Sequence, residues 1–253
     1  MEDNVNSFSG AAEKKELRSY YKKKRTNLDE ESIKRAKASI RDVEGTVKSL
    51  IDTYRDMQSL EDSDRDICDI CGRLKRPMNI MSYMPIKNEF PVDAINRFII
   101  DSEEYNLILP LTTSDFEIIP YIVDDIDNLK ISELGIAEPD PKKTLRADSS
   151  SIDMIIIPGI VFDRFGNRIG FGRGCYDRFI AKNYAKDYYA LNYDSNCDSN
   201  RDSNRKDCKN KYGRLPLLVG ACYDFQIFPG EIPTDKYDIS MQILITEKGI
   251  VSL

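Results

Sequence analysis

The run Met154-Ile155-Ile156-Ile157, closed by Pro158-Gly159, constrains the fold more than any other feature of this chain. Four consecutive apolar residues offer no polar face, so a strand formed here must be covered on both sides, as in a parallel sheet flanked by helices. Other segments repeat the theme: Asn79 to Met84 ending at Pro85, Leu107 to Leu109 stopped by Pro110, Phe116 to Val123, Leu217 to Ala221 and Ile239 to Ile245. The last alternates Ile, Met, Ile, Ile on one face. Helical patterns separate several of them. Glu13 to Asn27 reads as a charged helix carrying Lys14, Arg18 and Arg25. A second helix, N-capped by Asp29, sets Ile33, Ala36, Ile40, Val43, Val47, Leu50 and Tyr54 on one stripe. Pro91 opens a helix with Val92, Ile95, Phe98 and Ile99 on one side, and another helix starts near Tyr176. Strands alternating with helices predict an α/β fold around a largely parallel central sheet with helices on both faces.

The 253 residues and 41% hydrophobic content suffice for one sizeable core. The expected organisation is a disordered tail over 1–12 and a single domain over 13–253. A polar segment at 56–77 and a low-complexity insertion at 192–212, where Asp-Ser-Asn recurs, interrupt that domain. Residues 124–150 are expected to be mostly loop. Cys68 and Cys71 form a CxxC in the polar segment, but Cys197 and Cys208, the nearest partners, are too loosely spaced for a zinc site. They read as free thiols. No apolar run approaches the roughly 20 residues of a membrane span, and the N-terminus lacks a secretory pattern. The expected location is cytoplasmic.

The net charge of -6 gives no general attraction to nucleic acid or an anionic membrane. The basic stretch Lys22 to Arg25 reads as a solvated helix face. The chain contains no histidine, which removes His-based acid–base chemistry and His–metal ligation. Chemistry must rest on carboxylates, Lys, Arg, Tyr, backbone N–H groups or a bound cofactor.

The segment after Ile157 carries the strongest functional signal. Gly170, Gly172 and Gly174 alternate between an apolar strand and the start of a helix. Such glycines let backbone N–H groups approach a ligand, and the helix directs its positive end to the same place. Arg168 and Arg173 add guanidinium groups that can hold phosphate oxygens. Neither the GxxxxGK[ST] nor the GxGxxG spacing is present, so a glycine-rich turn with exposed arginines remains the plain alternative. Asp177 in the first helical turn fits either a favourable helix-end charge or a Mg²⁺ ligand. Asp238, before the last apolar strand, fits either a turn residue or a second ligand.

The stretch Pro158-Gly159, Phe162-Asp163 and Gly166-Asn167-Arg168-Ile169-Gly170-Phe171-Gly172-Arg173-Gly174-Cys175-Tyr176-Asp177 resembles the signature of 5-formyltetrahydrofolate cyclo-ligases, also called methenyltetrahydrofolate synthetases. Further segments agree in order: Lys14 to Arg18, Tyr83-Met84-Pro85 with Glu89, Gly135-Ile136 with Glu138-Pro139, Gly220 to Gln226, and Pro233 to Asp238. The resemblance spans about residues 13–250, with gaps at 56–77 and 192–212. The departures are Cys175 for the first Tyr of Tyr-Tyr-Asp, Arg173 where Lys or Gly is common, and Tyr237 where His often precedes the late acid. Cys175 reads as a packed thiol, with a reactive one at a helix N-terminus as the alternative.

The resemblance implies a NagB/RpiA/CoA-transferase-like three-layer sandwich. It also implies ATP-dependent closure of 5-formyltetrahydrofolate to 5,10-methenyltetrahydrofolate, with Mg²⁺ and with release of ADP and phosphate after phosphorylation of the formyl oxygen. It places ATP on Lys14, Arg18, Arg168, Ile169, Gly170, Phe171, Gly172, Arg173, Gly174, Cys175 and Tyr176. It places folate on Met84, Glu89, Phe171, Gly172, Arg173, Gly174 and Cys175. Catalytic roles fall to Arg168, Arg173 and Tyr176, and the metal to Asp177 and Asp238. A monomer with no nucleic-acid or membrane partner is expected. The alternatives are a non-catalytic folate- or nucleotide-binding protein, and a sugar-phosphate enzyme on a related fold.

Overall fold

The computed structural model describes residues 10–39, 43–61, 76–132, 135–193 and 215–253. Its centre is a seven-stranded sheet. The strands, in spatial order, are β12 (Gly249–Ser252), β11 (Ile243–Thr246), β9 (Leu217–Ala221), β6 (Met154–Pro158), β1 (Met78–Met81), β2 (Tyr105–Thr112) and β3 (Ile118–Val123). The five inner strands run parallel, and β3 and β12 close the edges antiparallel. The run Met154–Ile157 is therefore the sheet's central strand, buried throughout. The expected largely parallel α/β architecture is present.

Alternation of side chains divides the core into two layers. On one face Ile80, Leu107, Met154, Ile156, Val219 and Ile245 meet two helices, α3 (Val43–Glu61) and α4 (Asp93–Ile100), through Val47, Leu50, Ile51, Ile95 and Ile99. On the other face Met81, Ile108, Ile155, Ile157, Leu218 and Leu244 meet helix α5 (Cys175–Tyr193) through Phe179, Ile180 and Tyr184. A third cluster of Tyr21, Ile160, Val161, Ile169 and Ile232 seats helix α1 (Gly10–Thr26) beside a small sheet. That sheet contains β7 (Val161–Asp163), β8 (Arg168–Ile169) and β10 (Ile227–Phe228).

Several boundaries differ from expectation for identifiable reasons. The helix expected across Asp29 to Tyr54 is two helices, α2 (Glu30–Ser39) and α3, with residues 40–42 outside those described. Asp29 does cap the first, accepting the Ser32 N–H at 2.6 Å. The polar segment begins later than position 56, because α3 runs to Glu61. Pro110 does not stop β2. It lies beyond Ile108, the last residue paired with β1, and faces Pro120 of β3, so the missing N–H costs no bond to β1. Residues 239–242 are not strand. The Met241 N–H binds the Gly166 carbonyl at 2.7 Å, which draws Ile239 and Met241 to the α5 side, away from Ile243 and Ile245. The loop expected over 124–150 contains a short ladder of β4 (Lys130–Ile131) with β5 (Ala137–Glu138). Cys68, Cys71, Cys197 and Cys208 lie outside the described residues.

Packing at the sheet centre is close enough to test. A Cβ added to Gly220 on β9 would lie 2.6 Å from both Phe162 Cε1 and Leu244 Cδ2. Gly220→Ala is expected to destabilise the protein by about 1–3 kcal/mol through overpacking. Urea titration would show this as a lower midpoint with unchanged slope.

Candidate active site

Sheet topology fixes where a ligand can sit. From β1 the chain crosses through α4 to β2 on one side, and from β6 it crosses through α5 to β9 on the other. The crevice between β1 and β6, at their C-terminal ends, is thus a topological switch point. The Tyr83–Glu89 segment leaves β1 at that point, and the glycine-rich segment lies between β6 and α5.

A tight hairpin of β7 and β8 builds the glycine-rich segment. The Asp163 carboxylate accepts the N–H groups of Phe165 at 2.9 Å and Asn167 at 2.8 Å, the Asn167 amide at 2.9 Å, and the Ile232 N–H at 2.7 Å. Gly166 turns the chain at φ +87°, and a Cβ there would meet the Met241 carbonyl oxygen at 2.4 Å. This hairpin puts Arg168 opposite Phe162, with its side chain 5% exposed. Gly172 and Gly174 also have positive φ, 95° and 61°, immediately before α5 begins at Cys175.

The expected cations and carboxylates are paired with each other. Arg168 Nη2 donates to Asp177 Oδ1 at 2.7 Å and its guanidinium lies 5.8 Å from the Tyr176 ring centroid. The Arg168 Nε–H is buried without a partner among the described residues. Lys14 binds Asp235 at 3.1 Å and Asp238 still more closely. Burial would lower the Lys14 ammonium pKa, but the bonds to Asp238 and Asp235 outweigh it and raise the value. Arg18 reaches the loop itself, its Nε donating to the Gly170 carbonyl at 2.9 Å beside Gly172. Arg173 stands apart from these pairs. It is exposed, with its guanidinium 4.4 Å from the Phe116 ring centroid, and its carbonyl accepts from Arg178 at 2.6 Å.

On the β1 side, Glu89 is 5% exposed, and its Oε2 accepts the Ile86 N–H at 3.1 Å. Burial pushes its carboxyl pKa up, against the opposing pull of that N–H and of Arg25. Met84 is half-buried, its sulfur 3.8 Å from the Asn96 amide nitrogen. Phe171 is 46% exposed at the rim and lies under the Arg25 guanidinium, 5.1 Å from ring centroid to charge. Burial raises the Cys175 thiol pKa despite nearby Arg178, so its helix-end position does not make it a thiolate. Tyr176 is likewise held in its neutral phenol form by burial.

The structure thus gathers Arg18, Arg168, Ile169, Gly170, Gly172, Tyr176 and Asp177 around the loop. Lys14 and Asp238 form a second centre, and Glu89 and Met84 the far wall. Arg25 was misread in sequence as part of a solvated face. It is 6% exposed and its Nη1 donates to the Gly159 carbonyl at 3.3 Å. The missed signal is spacing: Lys14, Arg18, Tyr21 and Arg25 recur at four, three and four residues, which aligns them on one helical face. Gln226 also holds the loop, donating to the Gly159 and Ile160 carbonyls at 3.1 and 2.8 Å. Among the described residues no group of three or more acids or cysteines is arranged as a metal site, and no helix is long and apolar enough to cross a membrane.

Known proteins resemble this chain in sequence and fold. The 5-formyltetrahydrofolate cyclo-ligase family profile matches residues 11–191. The mitochondrial 5-formyltetrahydrofolate cyclo-ligase of Arabidopsis thaliana is 31% identical over 140 residues, covering 52% of this chain and 43% of that protein. The chain therefore spans less than half the length of that relative. A probable 5-formyltetrahydrofolate cyclo-ligase of Schizosaccharomyces pombe is 27% identical over 183 residues, covering 70% of this chain and 78% of the other. Among solved structures, the Aquifex aeolicus 5,10-methenyltetrahydrofolate synthetase superposes with a TM-score of 0.59 at 27% identity, over 95% of this chain and 92% of that one.

Proposed function

We propose, from the premise that the chain belongs to the 5-formyltetrahydrofolate cyclo-ligase family, that it closes 5-formyltetrahydrofolate to 5,10-methenyltetrahydrofolate at the expense of ATP. The observation that carries this reading is the glycine-rich loop at the β1/β6 switch point, with Arg18 and Arg168 on one side and buried Glu89 on the other. The orphaned Nε–H of Arg168 and the side-chain-free backbone at Gly172 and Gly174 fit an anionic phosphate chain. Asp177 and Asp238 are each paired with a cation, Arg168 and Lys14, and would have to leave those partners to supply the one or two carboxylates Mg²⁺ usually draws from protein. Bound there, Mg²⁺ would screen the phosphate charge.

The chemical difficulty is a formamide oxygen that leaves poorly. Transfer of the ATP γ-phosphoryl group to that oxygen, with ADP departing, turns it into a phosphate that leaves when the neighbouring folate nitrogen attacks the formyl carbon. Little covalent work falls to the protein, which must align two substrates and stabilise transferring charge. In this reading Arg168 and the loop N–H groups bind the transferring phosphate, and Arg18 and Lys14 add charge from α1. Lys14 and Arg168 must exchange their carboxylate partners for phosphate. Arg173, exposed on the rim over Phe116, adds positive charge at the mouth of the phosphate site. Tyr176 supports the Arg168 guanidinium with its ring. Glu89 accepts from the amino-pyrimidine edge of the pterin, and Met84 and Phe171 lie along its faces. The remaining glycines and Cys175 admit backbone contact to both substrates. A cytoplasmic monomer is part of the proposal.

The test is product absorbance from purified protein with 5-formyltetrahydrofolate and Mg²⁺, with and without ATP. Product is expected only with ATP. Folate binding without turnover would instead assign a non-catalytic binding protein, and turnover without nucleotide would overturn the phosphorylation step.

A further inference from the structure

We infer that Arg25 is a positioning residue for the folate site, holding Glu89 as a carboxylate and joining it to the glycine-rich loop. The inference rests on the reading of Glu89 as the acceptor of the pterin edge. Arg25 belongs to α1, yet it touches each of the other two walls. Its Nη1 lies 3.9 Å from Glu89 Oε1 and donates to the Gly159 carbonyl at 3.3 Å, and its guanidinium lies over the Phe171 ring. Its side chain is 8% exposed and that of Glu89 5%, so solvent does little to screen the attraction.

Glu89 needs this help. A carboxyl that accepts from a pterin amino group and ring N–H must be ionised, and burial favours its protonated form. The Ile86 N–H satisfies Oε2, while Oε1 accepts no hydrogen bond among the described residues and faces Arg25 beyond bonding distance. Arg25 therefore supplies charge without occupying the acceptor. Among the described residues, the other ionisable groups that interact with Glu89 are phenols. Tyr83 and Tyr176 interact with it electrostatically, and the Tyr223 hydroxyl donates to its backbone carbonyl at 3.4 Å. Burial keeps all three phenols protonated, so Arg25 is the cation of the set.

The sign of the pH effect follows. Folate affinity falls as pH drops through the Glu89 pKa. Removing Arg25 raises that pKa further, so the loss begins at higher pH. The experiment is calorimetric titration of 5-formyltetrahydrofolate into wild type, Arg25→Met, Arg25→Lys, Glu89→Gln and the Arg25→Met/Glu89→Gln double variant between pH 6 and 9, with thermal melts of each. Arg25→Met is expected to weaken folate binding by about tenfold at pH 7. It should recover toward wild type as pH rises, and Arg25→Lys should retain most of the affinity. In the Glu89→Gln background Arg25→Met should change affinity less than twofold, since an amide needs no counter-ion. A loss that is independent of pH, or undiminished by Glu89→Gln, would make Arg25 merely structural and overturn the inference. If Arg25→Met alone fails to fold, Arg25→Gln, which keeps an N–H donor for the Gly159 carbonyl but no charge, takes its place with the same expected pH dependence. Binding is read without turnover, so a wild type that binds folate but forms no product would refute the proposed reaction and leave this test intact. A wild type that binds no folate refutes both.

Discussion

Replacing Arg168 by alanine is expected to lower kcat for methenyltetrahydrofolate formation by about 10²–10³-fold while leaving the chain folded. Arg168 is the one loop cation that is both buried and incompletely bonded: Nη2 holds Asp177 and Nη1 lies 3.4 Å from the Pro158 carbonyl, while Nε has no partner among the described residues. A buried donor left open in the free protein gains most when charge develops beside it, and the low local dielectric strengthens the contact. Arg168→Lys should recover little, because an ammonium cannot reproduce the planar fork that holds phosphate oxygens bidentately. Arg173→Ala should be milder, since Arg173 is exposed over Phe116. Steady-state and single-turnover rates would check this. A loss of ATP affinity with kcat unchanged would mean that Arg168 binds ground state and transition state alike and has no special role during transfer.

Asp163→Ala is expected to cost at least about 3 kcal/mol of folding stability, because it strands several buried donors at once. The Asp163 side chain accepts four hydrogen bonds and is 0% exposed. Asp163→Asn keeps the shape but turns an NH₂ toward the Asn167 amide and the Ile232 N–H, both donors, and is expected to destabilise nearly as much. Against a typical domain stability of about 5–15 kcal/mol, either change should move the melting temperature by many degrees. Since this bond set shapes the hairpin that presents Arg168, activity should be lost at temperatures where the variant is still folded. A stability change under about 1 kcal/mol in chemical denaturation would show that water or a local shift satisfies those donors.

Much of the architecture could be read from residue order alone. The Met154–Ile157 run announced a strand buried on both faces and proved to be the sheet centre. The apolar stripe at Ala36, Val47 and Leu50 announced one helix packed along its length, which the fold divides into two. Asp29 announced a cap. These signals share a cause: periodicity and capping act over a few neighbouring residues, so the order of residues contains them. The glycine spacing at 170, 172 and 174 was legible for the same reason, because backbone freedom is local.

Partners distant in sequence were not legible. Lys14 meets Asp235 and Asp238 across more than 220 positions, and Arg25 meets Gly159 and Glu89 only because α1 lies against the small sheet. Sequence therefore offered Arg168 and Asp177 as separate phosphate and metal groups, where the fold presents them as one ion pair. Likewise Arg25 was legible as a charge but not as a buried one. Composition and spacing determined which elements form and which residue types could handle phosphate. Only the tertiary structure decided which charges neutralise each other and which stay open, because burial and pairing depend on distances that chain order does not contain.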